Sequence, residues 1–271
     1  MTALDRSTSF FPVLSADARQ QDRPSGIVMN KIAATAALVT RLSVIAKLDE
    51  ADRRAIEALP VTIERRGPSE IIVSTGDRPS FSCLIASGFV IRSKVVADGR
   101  SQILAFHQQG DIPDLQSLFL HVLDHEVSTV GKCVLAFIPH NALRALIRSR
   151  PTVAEALWRE TLIEAAIFRE WICNIGQRSG TSRMAHLILE VYIRQKAIGA
   201  AEGGSFHFPM TQALLGEAIG MSTVHVNRIL QELRAEGLIQ IGHGEVTIFD
   251  EQRLRQVADF DPLYLHQNPA L

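Results

Sequence analysis

The chain has 271 residues, 46% of them hydrophobic and 21% charged, with a formal net charge of −1. This is length for about two domains with real cores and the makeup of a globular protein, with no whole-chain electrostatic footprint for nucleic acid. Three cysteines, Cys83, Cys133 and Cys173, lie far apart with no CxxC spacing, which excludes a disulfide scaffold and a structural zinc and suggests a reducing compartment.

Residues 1–36 read as an N-terminal extension, polar, poorly patterned and largely disordered, with Met29 as a candidate true start. The apolar run Ile32–Val39 is too short to span a membrane and no secretory signal precedes it, so a cytoplasmic location is expected. Leu38, Leu42, Ile45 and Leu48 recur at helical spacing within 30–59, and a second short helix is expected from Glu50 to Leu59.

From Val61 to Ile138 the pattern shortens. Apolar, β-branched runs (Glu70–Ser74, Phe81–Ala86, Phe89–Val96, Gln102–His107, Cys133–Ile138) alternate with turn signals such as Ser87-Gly88, Asp98-Gly99 and Gly110-Asp111. Short strands at near-regular spacing predict an antiparallel roll with room for a small ligand, making 37–150 a sensor or effector domain. His121 and His125 sit four apart beside Asp124 and Glu126. Solvated polar residues are the stronger reading of them, and no metal is expected.

Pro139–Ser149 reads as a short helix, and Pro151 suits the first turn of a long one over 151–177. That helix is apolar on more than one side. Leu157, Ile163, Ile167, Phe168, Trp171 and Ile175 are the candidate dimerisation residues, because one face can pack on the roll and the rest needs a second copy. Cys173 near its end reads as a small buried hydrophobe rather than a redox switch.

Residues 178–261 open with a polar hinge, Gln177–Thr181, and a helix over 182–198; a strand, Phe206–Pro209, follows. Then comes the most specific stretch, Thr211–Gly237. A short helix ends at Gly220, Ser222 caps a second helix running to Glu236, and Gly237 stops it. Gly216 is small where two crossing helices approach. Val226, Ile229, Leu230 and Leu233 share one face of the second helix, and Val224, Asn227, Arg228 and Gln231 the other. This is the pattern of a helix-turn-helix whose polar face enters a major groove, with Thr211, Gln212, Ser222, Thr223, Val224, His225, Asn227 and Arg228 as the DNA-binding residues. Arg228 can fork onto guanine, and Val224 can touch a thymine methyl. Strands Leu238–Ile241 and Glu245–Phe249 around His243-Gly244 are the size of a wing, a helix over Glu251–Phe260 follows, and 262–271 is left as a tail. The unit 178–261 holds 8 Lys+Arg against 10 Asp+Glu, so its positive field must be local.

The order of elements and a set of strings resemble the Crp/Fnr family of bacterial transcription regulators over roughly residues 40–265. The strings include Ala86-Ser87-Gly88, Gln109-Gly110-Asp111, Gly176-Gln177-Arg178, Arg183-Met184-Ala185-His186-Leu187, Val226-Asn227-Arg228-Ile229-Leu230 and Gly237-Leu238-Ile239. The resemblance implies an α+β chain: an N-terminal antiparallel β-roll of the cyclic-nucleotide-binding jelly-roll kind, a long dimerisation helix, and a C-terminal winged helix-turn-helix. It also implies a homodimer on a palindromic double-stranded operator, with RNA polymerase as a further partner.

Departures from the family pattern qualify it. Where cAMP-binding members carry a Gly-Glu-Leu segment and a downstream Arg-Ser pair, this chain reads Ile112-Pro113-Asp114-Leu115 and His125-Glu126. A carboxylate repels a cyclic phosphate, so cAMP is not expected, and Asp114, Leu115 and His125 are left as the positions that an unidentified small-molecule effector would meet. The N-terminus lacks the clustered cysteines that hold an iron–sulfur cluster in oxygen-sensing members, so no such cofactor is expected. Where many relatives place a glutamate one turn before the arginine, this chain has Val224. No nucleophile–base pair or phosphate loop marks an enzyme. The competing reading is a β-roll acting as a cupin-like small-molecule enzyme or as an interaction module with a vestigial DNA domain, and the scattered histidines do not supply its ligand set.

Overall fold

The computed structural model describes residues 30–267. Helix α1 (Lys31–Ser43) starts on Asn30, whose side chain accepts from the Ala33 N–H at 2.8 Å, satisfying one of the donors a helix start leaves open. The helix thus begins inside the stretch assigned to the extension. The remainder of that stretch, with Met29, lies outside the described residues. Helix α2 (Glu50–Glu57) opens with a capping box between Asp49 and Asp52.

Strands β1 (Thr62–Arg66), β2 (Ile71–Val73), β3 (Phe81–Val95), β4 (Ser101–His107) and β5 (Glu126–Pro139) form one antiparallel sheet in the order β1-β5-β3-β4, with β2 also on β5. The roll expected from the sequence is there, but its strands are longer. Phe81–Ala86 and Phe89–Val96 are a single strand, and Ser87-Gly88 is not a turn but a break in register against β5. Gly88 has φ +98°, and a Cβ there would lie 2.7 Å from Cys133 Sγ and 2.8 Å from the Lys132 carbonyl. A bulge bends the strand while keeping its ladder, and only glycine fits so close to the facing backbone. Side chains alternate between two buried clusters: Leu84, Phe89 and Ile91 belong to one, Cys83, Ile85 and Val90 to the other. Burial on both faces is why these strands read as unbroken apolar runs.

After β5 come α3 (His140–Ser149) and the long α4 (Pro151–Gln177), which opens on Pro151 as its first residue. The hinge follows. Arg178 donates to Asn174 Oδ1 at 2.9 Å and pairs with Glu170 at 2.6 Å. Ser179 then caps α5 (Gly180–Ala197), accepting from the Ser182 N–H at 3.2 Å. Strands β6 (Ala201–Glu202) and β7 (Ser205–His207), helices α6 (Gln212–Ile219) and α7 (Thr223–Ala235), strands β8 (Ile239–Gly242) and β9 (Glu245–Ile248) and helix α8 (Glu251–Ala258) complete the C-terminal unit. Its sheet runs β6-β7-β9-β8, all antiparallel.

Two features were not legible in the sequence. The start of the stretch left as a tail is docked: Pro262–Leu265 form a 3-10 turn, Leu265 is buried, and the Tyr264 hydroxyl donates to Glu190 at 2.8 Å, while residues 268–271 lie outside the described residues. The two units also share one core. Phe106 of β4 packs 5.9 Å from Trp171 of α4 and 6.0 Å from Phe208, which follows β7.

Candidate nucleic-acid interface

Thr211 caps α6, accepting from the Leu214 N–H at 3.2 Å. Gly220 ends it in the left-handed conformation, φ +70°, the usual way to turn a chain out of a helix. A Cβ on Gly216 would lie 2.5 Å from the Met221 carbonyl oxygen. The turn can therefore close only over glycine. Ser222 caps α7, accepting from the His225 N–H at 3.4 Å while its hydroxyl sits 2.8 Å from His225 Nδ1. Val226, Ile229, Leu230 and Leu233 are buried beneath α7.

On the outer side, Thr211, Ser222, Thr223, Val224, His225 and Arg228 are exposed. Val224 reaches 79% exposure, an apolar side chain left open among the described residues. Gln212 and Asn227 are half-buried, because the Asn227 amide donates to Gln212 Oε1 at 3.3 Å and ties the two helices together. Arg228 Nε lies 3.5 Å from Glu232 on the same helix. Such an exposed pair contributes little, so the guanidinium is free to leave it for a base or a phosphate.

Sequence reasoning missed what positions α6. Gln102 of β4 donates to the Ala218 carbonyl at 3.2 Å and Arg183 to the Ile219 carbonyl at 3.2 Å. These satisfy carbonyls that the end of α6 leaves open, and one of the two donors comes from the roll. No spacing rule links residue 102 to residue 218.

The candidate dimerisation residues separate. Leu157, Ile163, Ile167 and Trp171 are buried in their own chain, and the Trp171 Nε1–H donates to Glu190 at 3.1 Å. Phe168 is half-buried, with Arg92 5.7 Å above its ring, and Ile175 is exposed. The open apolar side of α4 is instead Trp158, Leu162 and Ile172, at 69%, 54% and 71% exposure. The six-residue list followed the apolar side as a whole, and a helix apolar nearly all round does not show which stripe its own fold takes. Cys173 is exposed on this helix, not buried.

Between the roll, α4 and α5 lies a buried charge network. Asp111, 3% exposed, accepts from Arg41 Nε at 3.1 Å and from Arg194 at 2.7 Å, and Arg41 also reaches Glu160 at 2.7 Å. Arg194 donates to the Phe106 carbonyl at 2.9 Å. Beside them Arg92 pairs with Glu164 at 2.5 Å and with the Pro113 carbonyl. Burial raises the Glu164 carboxyl, with Arg92 opposing. Burial, and then Arg92 and Arg194, hold His107 well below its ordinary range, so that ring is neutral among these groups.

This network fills the space between the roll, α4 and α5. The cavity left between His107, Asp111, Glu160, Glu164 and Arg194 is about 30 Å³, room for water but not for a nucleotide. Asp114 is buried and accepts from the Cys83 N–H at 2.7 Å, and burial lifts its carboxyl to about 6. Leu115 is buried. His125 is turned toward Gln116 at 3.0 Å and Asp124 at 2.9 Å. The positions reserved for an effector thus serve internal contacts, with the buried Arg92 guanidinium beside them on the Pro113 carbonyl. His121 is exposed, apart from the buried His125, and among the described residues no group of three or more His, Cys, Asp or Glu is placed to share a metal ion. No helix among them is long and apolar enough to cross a membrane.

Two family models match the chain, a cyclic nucleotide-binding domain over residues 64–150 and a Crp-like helix-turn-helix domain over residues 182–257. The chain is 24% identical over 217 residues to the nitrogen fixation regulation protein FixK of Bradyrhizobium diazoefficiens, covering 80% of this chain and 90% of that one. It is 22% identical over 199 residues to the transcriptional activator protein FnrL of Cereibacter sphaeroides, covering 71% and 78%. The solved structure of FixK2 from Bradyrhizobium japonicum superposes with a TM-score of 0.67 at 23% identity, covering 73% of this chain and 98% of that one.

Proposed function

The chain belongs to the Crp/Fnr family of DNA-binding transcription regulators, and from that premise we propose that it works as a cytoplasmic homodimer on a two-fold symmetric operator, with the Thr223–Ala235 helix in the major groove. The observation that carries this reading is the exposed outer face of α7, set on a turn that admits only glycine at position 216. RNA polymerase is the further partner such a regulator meets at a promoter, and the reading assigns the chain no catalysis. The roll is read as taking no cyclic nucleotide, because its interior charges are already paired.

Base recognition divides between two residues. Arg228 donates a fork to guanine or to a phosphate, while Val224 can only offer methyl groups and so favours a thymine. Selection of operator half-sites from random DNA, run with wild type and with Arg228→Ala, tests this. Arg228→Ala should cost about 1–3 kcal/mol of operator binding and relax one base position. Unchanged affinity, or a strict cytosine at the base facing Val224, would count against the assignment.

The dimer is carried by the open stripe of α4. Trp158, Leu162 and Ile172, with Ala165 between them, recur at alternating four- and three-residue and then seven-residue steps, the spacing of a coiled-coil seam. Ile172→Asp places a charge in that seam. Sedimentation should then find a monomer with its folded spectrum intact, and half-site-independent, weak operator binding. A variant that stays dimeric would move the interface elsewhere.

A further inference from the structure

A second concavity lies on the far side of the helices that carry Arg41 and Arg194. It is a broad, largely open concavity of about 740 Å³ between α1 and α2 on one wall and α5 and α8 on the other, lying between two domains, where ligand sites concentrate. Thr40 and Ser43 line one wall, and Ile193 and Ala197 give the other an apolar lining. Three cations enter it: Arg53, Lys196 and Arg255. A single carboxylate, Glu251, serves two of them, at 2.9 Å from Arg255 and 3.9 Å from Lys196. Arg53 is half-buried at the edge of the cleft and has no ion-pair partner among the described residues. The cleft therefore holds two positive charges beyond its own carboxylate, and one guanidinium is free to form a forked contact.

We propose that this cleft is an effector site for a small polyanion, a molecule carrying at least two carboxylate or phosphate groups. One anionic group meets Arg53 on the sensor side and another meets Lys196 and Arg255 on the DNA-binding side. A ligand held this way bridges the two units through α1 and α5, the same pair that Asp111 joins from within through Arg41 and Arg194. Occupancy then changes operator affinity by fixing how α5 and the helices after it sit on the roll, since a ligand shifts an equilibrium only through contacts that differ between its states. The coupling rests on the DNA-binding reading; the site itself does not.

The experiment is calorimetric titration of the full-length protein with pyrophosphate and, separately, with citrate, which distinguishes phosphate from carboxylate chemistry. Arg53→Gln and Lys196→Gln are the test variants, and Arg54→Gln, exposed on α2 and paired only with Glu50, is the control. Arg53 supports no internal ion pair, so its variant should fold as wild type does. Saturable binding of either probe is expected, weakened about tenfold or more by each test substitution, as for a lost charge-assisted contact, and unchanged in the control. No saturable binding of either probe, or binding that survives both substitutions, overturns the site. Operator titration with and without the bound probe reads the coupling: a shift in wild type that Arg53→Gln abolishes supports it, and an affinity the probe leaves unchanged overturns it. Because the calorimetry contains no DNA, failure of the site and failure of the DNA-binding reading are distinguishable.

Discussion

Asp111→Ala should lower the unfolding free energy by about 3 kcal/mol or more, the cost of leaving buried charge without its partner. Asp111 is the group shared by Arg41 and Arg194, whose side chains are only 5% and 8% exposed. Removing it takes from Arg194 its one close carboxylate, since Glu190 lies 4.0 Å away. Arg41 keeps Glu160, so the penalty falls mainly on α5, and the DNA-binding unit should loosen from the roll before the roll itself unfolds. Urea unfolding followed by tryptophan fluorescence and by circular dichroism measures both effects. A loss below about 1 kcal/mol, the range of exposed pairs, would mean that water or Glu190 already neutralises Arg194. Replacing Arg41, Asp111, Glu160 and Arg194 together by apolar side chains of similar volume should restore much of the stability, because a buried network is destabilising chiefly when broken in part.

Gly216→Ala should cost about 2–3 kcal/mol, the upper part of the range for overpacking a tight contact, and should cut operator affinity by more than the stability loss alone predicts. The atom an added methyl meets is the backbone oxygen of Met221 at 2.5 Å, which cannot rotate aside as a side chain can. Relief requires α7 to move away from α6. That movement displaces Val224 and Arg228 together and breaks the Asn227–Gln212 contact. The measurement is thermal unfolding beside operator titration at a temperature where the variant is folded. Operator affinity equal to wild type in a folded variant would show that the helix pair tolerates a wider crossing than its geometry implies.

The helix-turn-helix was the most legible part of the chain. Its signals are local: a cap at Ser222, a left-handed glycine at 220, a small residue four positions earlier and one apolar face. Each of these acts within a turn or two of the helix, so neighbours in sequence decide it. The roll was legible as a class but not in its strands, because Ser87-Gly88 carries the composition of a turn while β5, which makes it a bulge, comes about forty residues later in the chain. The open stripe of the long helix was half legible. Helical spacing shows that α4 is apolar, but which stripe stays open depends on what α5 and the 262–265 turn cover.

By itself the sequence determined the α+β order of the chain and the helix-turn-helix with its outward face, since these follow from side-chain chemistry and short-range geometry. Only the tertiary structure decided that Arg41, Arg92, Asp111, Glu164 and Arg194 fill the space between the roll and the long helices, that the C-terminal unit is docked on the roll through Gln102 and Arg194, and that the residue-53 cleft exists. Charges far apart in sequence become partners or remain open only after the chain has brought their helices together, and no local pattern carries that information.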